Sequence, residues 1–186
     1  MKATGGLRPE GPAASSRGRK PPESGERKKE PRRGDRKRAK MAYVNLAYHV
    51  VFATKNRQRW LCNPARERIH AYLGGIVHQL GGQSVRVNGP EDHVHLAVKL
   101  PASLAVADFT RLLKTNSSKW IHEKFPDMRD FHWQDSYAAF SVSESVLPEV
   151  VAYIADQEAH HRSVSFEEEL AAFLKKHGIE YDPKYI

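Results

Sequence analysis

The chain has 186 residues, 40% of them hydrophobic, and a formal charge of +8. That length allows one domain of ordinary size plus a tail, and no apolar run approaches the ~18 residues of a membrane span. The single cysteine, Cys62, excludes an intrachain disulfide and a cysteine zinc cluster, so the default location is cytoplasmic.

The charge is unevenly spread. Residues 1–40 carry 14 Lys/Arg and 5 Asp/Glu, and residues 41–186 carry 16 and 17, so the basic excess lies in the first segment while all ten histidines lie in the second. The division predicts a disordered basic tail over 1–40, too poor in large apolar residues to bury a core, and one domain over 41–186. The tail reads either as a polyanion-binding arm or as a translated upstream segment, with Met41 the native start. It lacks the apolar region of a signal peptide.

Residues 43–54 read as a strand, with Val44, Leu46, Tyr48, Val50 and Phe52 on one face and His49 on the other. Asn63-Pro64 reads as a helix cap and first-turn proline. Ile69, Tyr72, Leu73, Ile76, Val77 and Leu80 then recur at helical spacing before Gly81-Gly82. Residues 83–88 form a short strand, and Asn88-Gly89 signals a hairpin. The stretch "EDHVHLAVKL" alternates strictly: His93, His95, Ala97 and Lys99 face one way, Val94, Leu96, Val98 and Leu100 the other, the period of a half-buried strand. A second helix begins near Ser103 with Leu104, Phe109, Leu112, Leu113, Trp120 and Ile121 as its stripe. Residues 137–142 form a fourth strand, and a third helix covers 146–161. Ser165 and Glu168 have capping-box spacing for a last helix, with Phe166, Leu170, Phe173 and Leu174 buried and Gly178 as its stop. The order β-α-β-β-α-β followed by two helices predicts an α+β, ferredoxin-like split βαβ sandwich: an antiparallel sheet with two helices on one face. The other face is either open or covered by the later helices.

Two imidazoles at i and i+2 on a strand point the same way, with Cβ atoms ~7 Å apart, and can converge on one cation. His-x-His alone is a weak signal. On the third helix Tyr153 and Gln157 lie four apart, on one face. Packed over the histidine strand they would add a neutral oxygen ligand and a phenol. The strings "GPEDHVHLAVKLP", "LKTNSSKW", "FHWQDSYAAFSVSES" and "YIADQEAHHR" together resemble the single-tyrosine HUH transposases of bacterial insertion sequences, including those associated with repetitive extragenic palindromes. The resemblance spans about residues 43–185.

The resemblance implies an enzyme that cuts and rejoins single-stranded DNA at hairpin-flanked element ends. It makes His93, His95 and Gln157 the ligands of Mg²⁺ or Mn²⁺ and Tyr153 the nucleophile. It also implies a homodimer with the fourth strand at its interface. The chemistry is coherent. Three neutral ligands leave the cation its full charge for a phosphodiester, and histidine favours Mn²⁺ over Mg²⁺. A phenol of pKa ~10 needs help to attack, but as a good leaving group it allows a 5′-phosphotyrosine to be reversed without ATP. What deprotonates Tyr153 is left open.

Lys55, Arg57, Arg59, Arg111, Lys114 and Lys119 are candidate phosphate contacts. Trp60, Trp120 and Trp133 are candidates for stacking on bases, with Trp120 better read as core. Glu91 and Asp92 read as a turn, with orientation of an imidazole as the alternative. His160 and His161 read as a solvated helix end, with metal ligation the alternative, and His49 as structural. The competing functions are a catalytically silent or domesticated DNA-hairpin-binding protein, an RNA-recognition module on the same topology, and a rolling-circle initiator or relaxase. The RNA module would need exposed aromatics where the third strand has histidines. The initiator would need a longer chain.

Overall fold

The structure, a computed structural model, describes residues 43–183; the expected tail lies outside the described residues. Its elements are β1 (Ala47–Ala53), α1 (Ala65–Gln79), β2 (Gln83–Asn88), β3 (His93–Lys99), α2 (Val106–Lys124), β4 (Ala138–Val142), α3 (Leu147–Ala155), α4 (Gln157–His160) and α5 (Phe166–Lys176). The four strands form one sheet in the order β2-β3-β1-β4, and every pairing is antiparallel. This is the expected split βαβ sheet, with the histidine strand at its centre.

The alternation in β3 works as its period requires. Val94, Leu96, Val98 and Leu100 join Val50 and Phe52 of β1 beneath the sheet, against Ile69, Leu73, Ile76 and Val77 of α1 and Phe109, Leu113 and Ile121 of α2. Burying each such side chain contributes about 1.5–3 kcal/mol, so this layer fixes the strand register. Trp133 also lies in it, 6% exposed, with its Nε1 donating to Ser117 Oγ at 2.8 Å; that burial removes it from the base-stacking candidates. Trp120 stacks on Tyr72 with ring centroids 4.2 Å apart.

The second face of the sheet is covered, not open. Leu147 and Ile154 of α3 pack on Ala47 and Ala97, and Phe166 and Leu170 of α5 pack against Val51 and Ala53. The small alanines let both helices approach closely. His93 and His95, each 0% exposed, therefore lie between a sheet and a helical cover.

Four local expectations differ from the structure. The first strand starts at Ala47 rather than residue 43, and Val44 is exposed. Asn63 gives no cap: α1 starts at Ala65 with no side-chain cap hydrogen bond. Asn88 and Gly89 do not take the positive φ that a two-residue type I′ hairpin needs. Gly89 is instead required by close approach, because a Cβ there would collide with the His93 carbonyl oxygen and lie 2.9 Å from Val94 Cα. The single helix expected over 146–161 breaks at Asp156, whose φ and ψ are −98° and 15°. Asn88 caps the break: its Nδ2 donates to the carbonyls of Ile154 (2.9 Å) and Ala155 (3.1 Å). In an unbroken helix those oxygens would accept from the amides four residues on.

Candidate active site

His93 and His95 leave β3 on the covered face, and their outer nitrogens are held from behind. His93 Nδ1 donates to Asp92 Oδ1 at 2.8 Å, and His95 Nδ1 lies 2.9 Å from His49 Nε2 on the neighbouring strand. Asp92 is held in turn by Arg57, whose Nη2 and Nε donate to its Oδ2 at 2.7 and 3.1 Å. Burial would raise the Asp92 pKa, but the hydrogen bonds to His93 and Arg57 outweigh it and pull it down to about 2. Asp92 therefore orients an imidazole and is more than a turn residue. His49, expected to be structural without a partner, orients the second imidazole. Such partners fix ring orientation and tautomer in metal sites.

Arg57 adopts φ 55°, the left-handed region that a side chain normally avoids. From there its guanidinium lies 3.9 Å over the Phe166 ring and pairs with Glu167, so one side chain joins the end of β1, the approach to β3 and the start of α5.

Four further side chains close over the histidines. Tyr153 and Gln157 do reach this point, on either side of the break at Asp156. The Tyr153 hydroxyl donates to Glu169 Oε1, and Gln157 Nε2 donates to the same oxygen at 3.1 Å. Glu169 Oε2 lies 3.3 Å from His95 Nε2, 3.4 Å from His161 Nε2 and 3.9 Å from His93 Nε2. His161 Nε2 lies 3.0 Å from His93 Nε2, and its Nδ1 donates to the Val164 carbonyl at 2.8 Å. His161 is thus part of the cluster rather than a solvated helix end.

Burial drives the His93 pKa down to about 4 despite the Asp92 hydrogen bond, and burial likewise lowers His95. Burial would also depress His161, but its contact with Glu169 outweighs that and raises it. The Glu169 carboxyl shows the converse: burial alone would raise it, yet contact with His161 and His95 holds it far below the usual carboxylate range. Burial, reinforced by Glu169, pushes the Tyr153 phenol above its ordinary value. The resting site therefore pairs a neutral phenol with an ionised carboxylate.

The donors fit a divalent cation. Single atoms of His93, His95, His161 and Glu169 lie within 4.8 Å of one another. His95 Nε2, Gln157 Oε1 and Glu169 Oε2 are buried without a hydrogen-bond partner, a costly state unless something else binds them. A cleft of about 540 Å³ opens beside His93 and His161, edged by Arg57, Arg59, Arg66 and Arg162.

The sequence model of the family described as "Transposase IS200 like" matches residues 42–157. The chain belongs to the IS200-like transposase family. It is 26% identical over 117 residues to the ISDra2 transposase TnpA of Deinococcus radiodurans, covering 60% of this chain and 84% of that protein. Against the transposase of insertion sequence IS200 from Salmonella typhimurium it is 27% identical over 85 residues, and spans 56% of that relative's length. A solved Deinococcus radiodurans transposase superposes with a TM-score of 0.53 at 28% identity, over 63% of this chain and 95% of that one. A REP-associated tyrosine transposase bound to a REP hairpin shares the fold, with a TM-score of 0.51 at 14% identity over 67% of this chain and 73% of that one. Among the described residues no helix of this IS200-like transposase is long and apolar enough to cross a membrane.

The expected cationic contacts are dispersed. Lys55, Arg59, Arg111 and Lys119 are exposed, with Arg59 paired to Glu91 and Arg111 to Asp108. Lys114 is turned inward: its Nζ donates to the carbonyls of Gln134, Asp135 and Ser136. Glu169 is not among the expected site residues, His161 is expected as a solvated helix end with metal ligation the alternative, and His49 is expected to be structural. Glu169 carries a legible signal, since it falls in phase with the apolar stripe Phe166, Leu170 and Phe173, where a carboxylate is out of place.

Proposed function

We propose that this transposase cleaves and rejoins single-stranded DNA at hairpin-flanked ends through a 5′-phosphotyrosine on Tyr153, using Mg²⁺ or Mn²⁺ held by His93, His95 and Gln157. One observation carries the reading: the Tyr153 phenol, the Gln157 amide and the two strand histidines, from segments some 60 residues apart in sequence, meet in one buried cluster. The unpartnered Gln157 Oε1 supports its role as a ligand.

Bound there, the cation would draw charge from a phosphodiester oxygen. The chain does the rest. Asp92 and His49 aim the imidazoles, and the helical cover keeps bulk water from competing with DNA. Glu169 Oε1 already accepts the Tyr153 hydrogen bond and orients the phenol for attack; as the Tyr153 Oη–P bond forms and the P–O3′ bond breaks, the phenol gives up one proton and the departing O3′ takes one up. The liberated 3′-hydroxyl can reverse the step. Lys55, Arg59, Arg111 and Lys119 are the exposed cations offered for phosphate contact, whereas Arg57 and Lys114 serve the fold. A hairpin as the recognised DNA is supported by the REP hairpin in the related fold. A homodimer is supported by β4, which lies at an edge of the sheet among the described residues.

The test is a denaturing gel of the full chain with labelled single-stranded hairpin DNA and Mn²⁺. A metal-dependent covalent band, absent in Tyr153→Phe, is expected. A native-gel shift without any covalent band would instead identify a hairpin-binding protein without chemistry.

A further inference from the structure

The family match ends at residue 157, yet two of the four clustered donors, His161 and Glu169, follow it. We infer that one divalent cation is held by His93, His95, His161 and Glu169, so that the segment after the family core supplies half of a three-imidazole, one-carboxylate site. The inference rests on the metal-dependent reading above and differs from it in the donors: with these four in place, Gln157 holds Glu169 Oε1 rather than the cation.

The distances carry it first. Tetrahedral donors bound at 2.0–2.2 Å lie about 3.4 Å apart. Four of the six separations here are 3.0, 3.3, 3.4 and 3.9 Å, and all six lie within 4.8 Å. Hydrogen-bond logic carries it further. His93 and His161 each direct Nδ1 to a fixed acceptor, the Asp92 carboxylate and the Val164 carbonyl, so both rings turn Nε2 toward one another across 3.0 Å. Two such nitrogens repel unless a proton or a metal cation holds both. Glu169 supplies the opposite charge, with Oε2 buried and without a hydrogen bond and Oε1 on Tyr153 and Gln157. One carboxylate thus touches both the cation and the nucleophile. A donor set of this kind favours Co²⁺, Zn²⁺ and Mn²⁺ strongly over Mg²⁺. The capping box on Ser165 and Glu168 and the Arg57–Glu167 pair hold the start of α5 so that Glu169 reaches inward.

The experiment titrates Co²⁺ into the full chain without DNA, following heat and visible absorption, because four-coordinate Co²⁺ absorbs far more strongly than six-coordinate Co²⁺. Parent, His93→Ala, His161→Ala and Glu169→Gln are compared, with circular dichroism and a thermal melt confirming the fold of each. His161→Asn serves as a second, milder variant. The parent is expected to bind one Co²⁺ with the intense spectrum, and His161→Ala and Glu169→Gln each to lose at least ~10-fold in affinity along with that spectrum. If both bind as the parent does while His93→Ala fails, the donors after residue 157 are not ligands; this inference falls and the proposed function stands. If the parent binds no cation, a proton bridges His93 and His161, and both readings fall.

Discussion

Asp92→Asn tests whether the ring behind the site matters as much as the donors. The substitution keeps an oxygen for His93 Nδ1 but removes the charge that Arg57 and His93 share. Lowering a carboxylate from 3.8 to about 2 corresponds to about 2.4 kcal/mol of native-state preference for the anion. Asp92 is 20% exposed, so solvent screening reduces the expected loss on substitution at pH 7 to ~1–2 kcal/mol. The sign follows from linkage. The folded pKa lies below the unfolded one, so this stability is fully present above 3.8 and disappears as pH falls through about 2. Urea denaturation of parent and variant should therefore differ by that amount at pH 7 and converge as the pH falls below 3. Mn²⁺ affinity, measured by calorimetry, should fall about 10–100-fold, as expected when a ligand histidine loses its carboxylate partner. A variant equal to the parent in both stability and affinity at pH 7 would refute the coupling of Arg57, Asp92 and His93.

Gly89→Ala should cost about 1–3 kcal/mol in denaturant, because the new Cβ meets the His93 backbone; the metal titration of the same variant should weaken as His93 shifts. Ser165→Ala removes the α5 capping box and should cost about 0.5–2 kcal/mol, with hydrogen exchange showing faster opening across residues 166–170. His70 titrates at about 4 in the fold, chiefly from burial and then from Arg66 and Arg86, against 6.5 when unfolded. Its stability contribution is therefore present above 6.5 and declines as pH falls toward 4, by up to about 1.4 kcal/mol per pH unit. His70→Gln should flatten the parent's loss between pH 7 and pH 5 in matched urea curves. An unchanged slope would show that His70 is not held neutral.

The two periodicities in the chain were sufficient for the architecture. Alternation in β3 and the 3.6-residue stripes of α1, α2 and α5 each identify a buried face, and burial is what orders the layers. The same alternation put His93 and His95 on one side, and the four-residue spacing put Tyr153 and Gln157 on another, before any contact was known. The failures have a common form. Asn88 was read as a turn residue because its role as a helix cap is played on α3, 66 residues away. His49 has no partner legible in the sequence because His95 becomes its neighbour only when β1 pairs with β3. Lys114 looked like a surface cation because the three carbonyls it ties belong to a loop 20 to 22 residues on. The sequence by itself determined the layers and which donors share a strand or helix face, because those depend on local period. Only the tertiary structure decided which donors face one another, bringing His161 and Glu169 onto the histidine strand and Glu169 onto Tyr153, because such meetings depend on how separate elements cross, which no local spacing encodes.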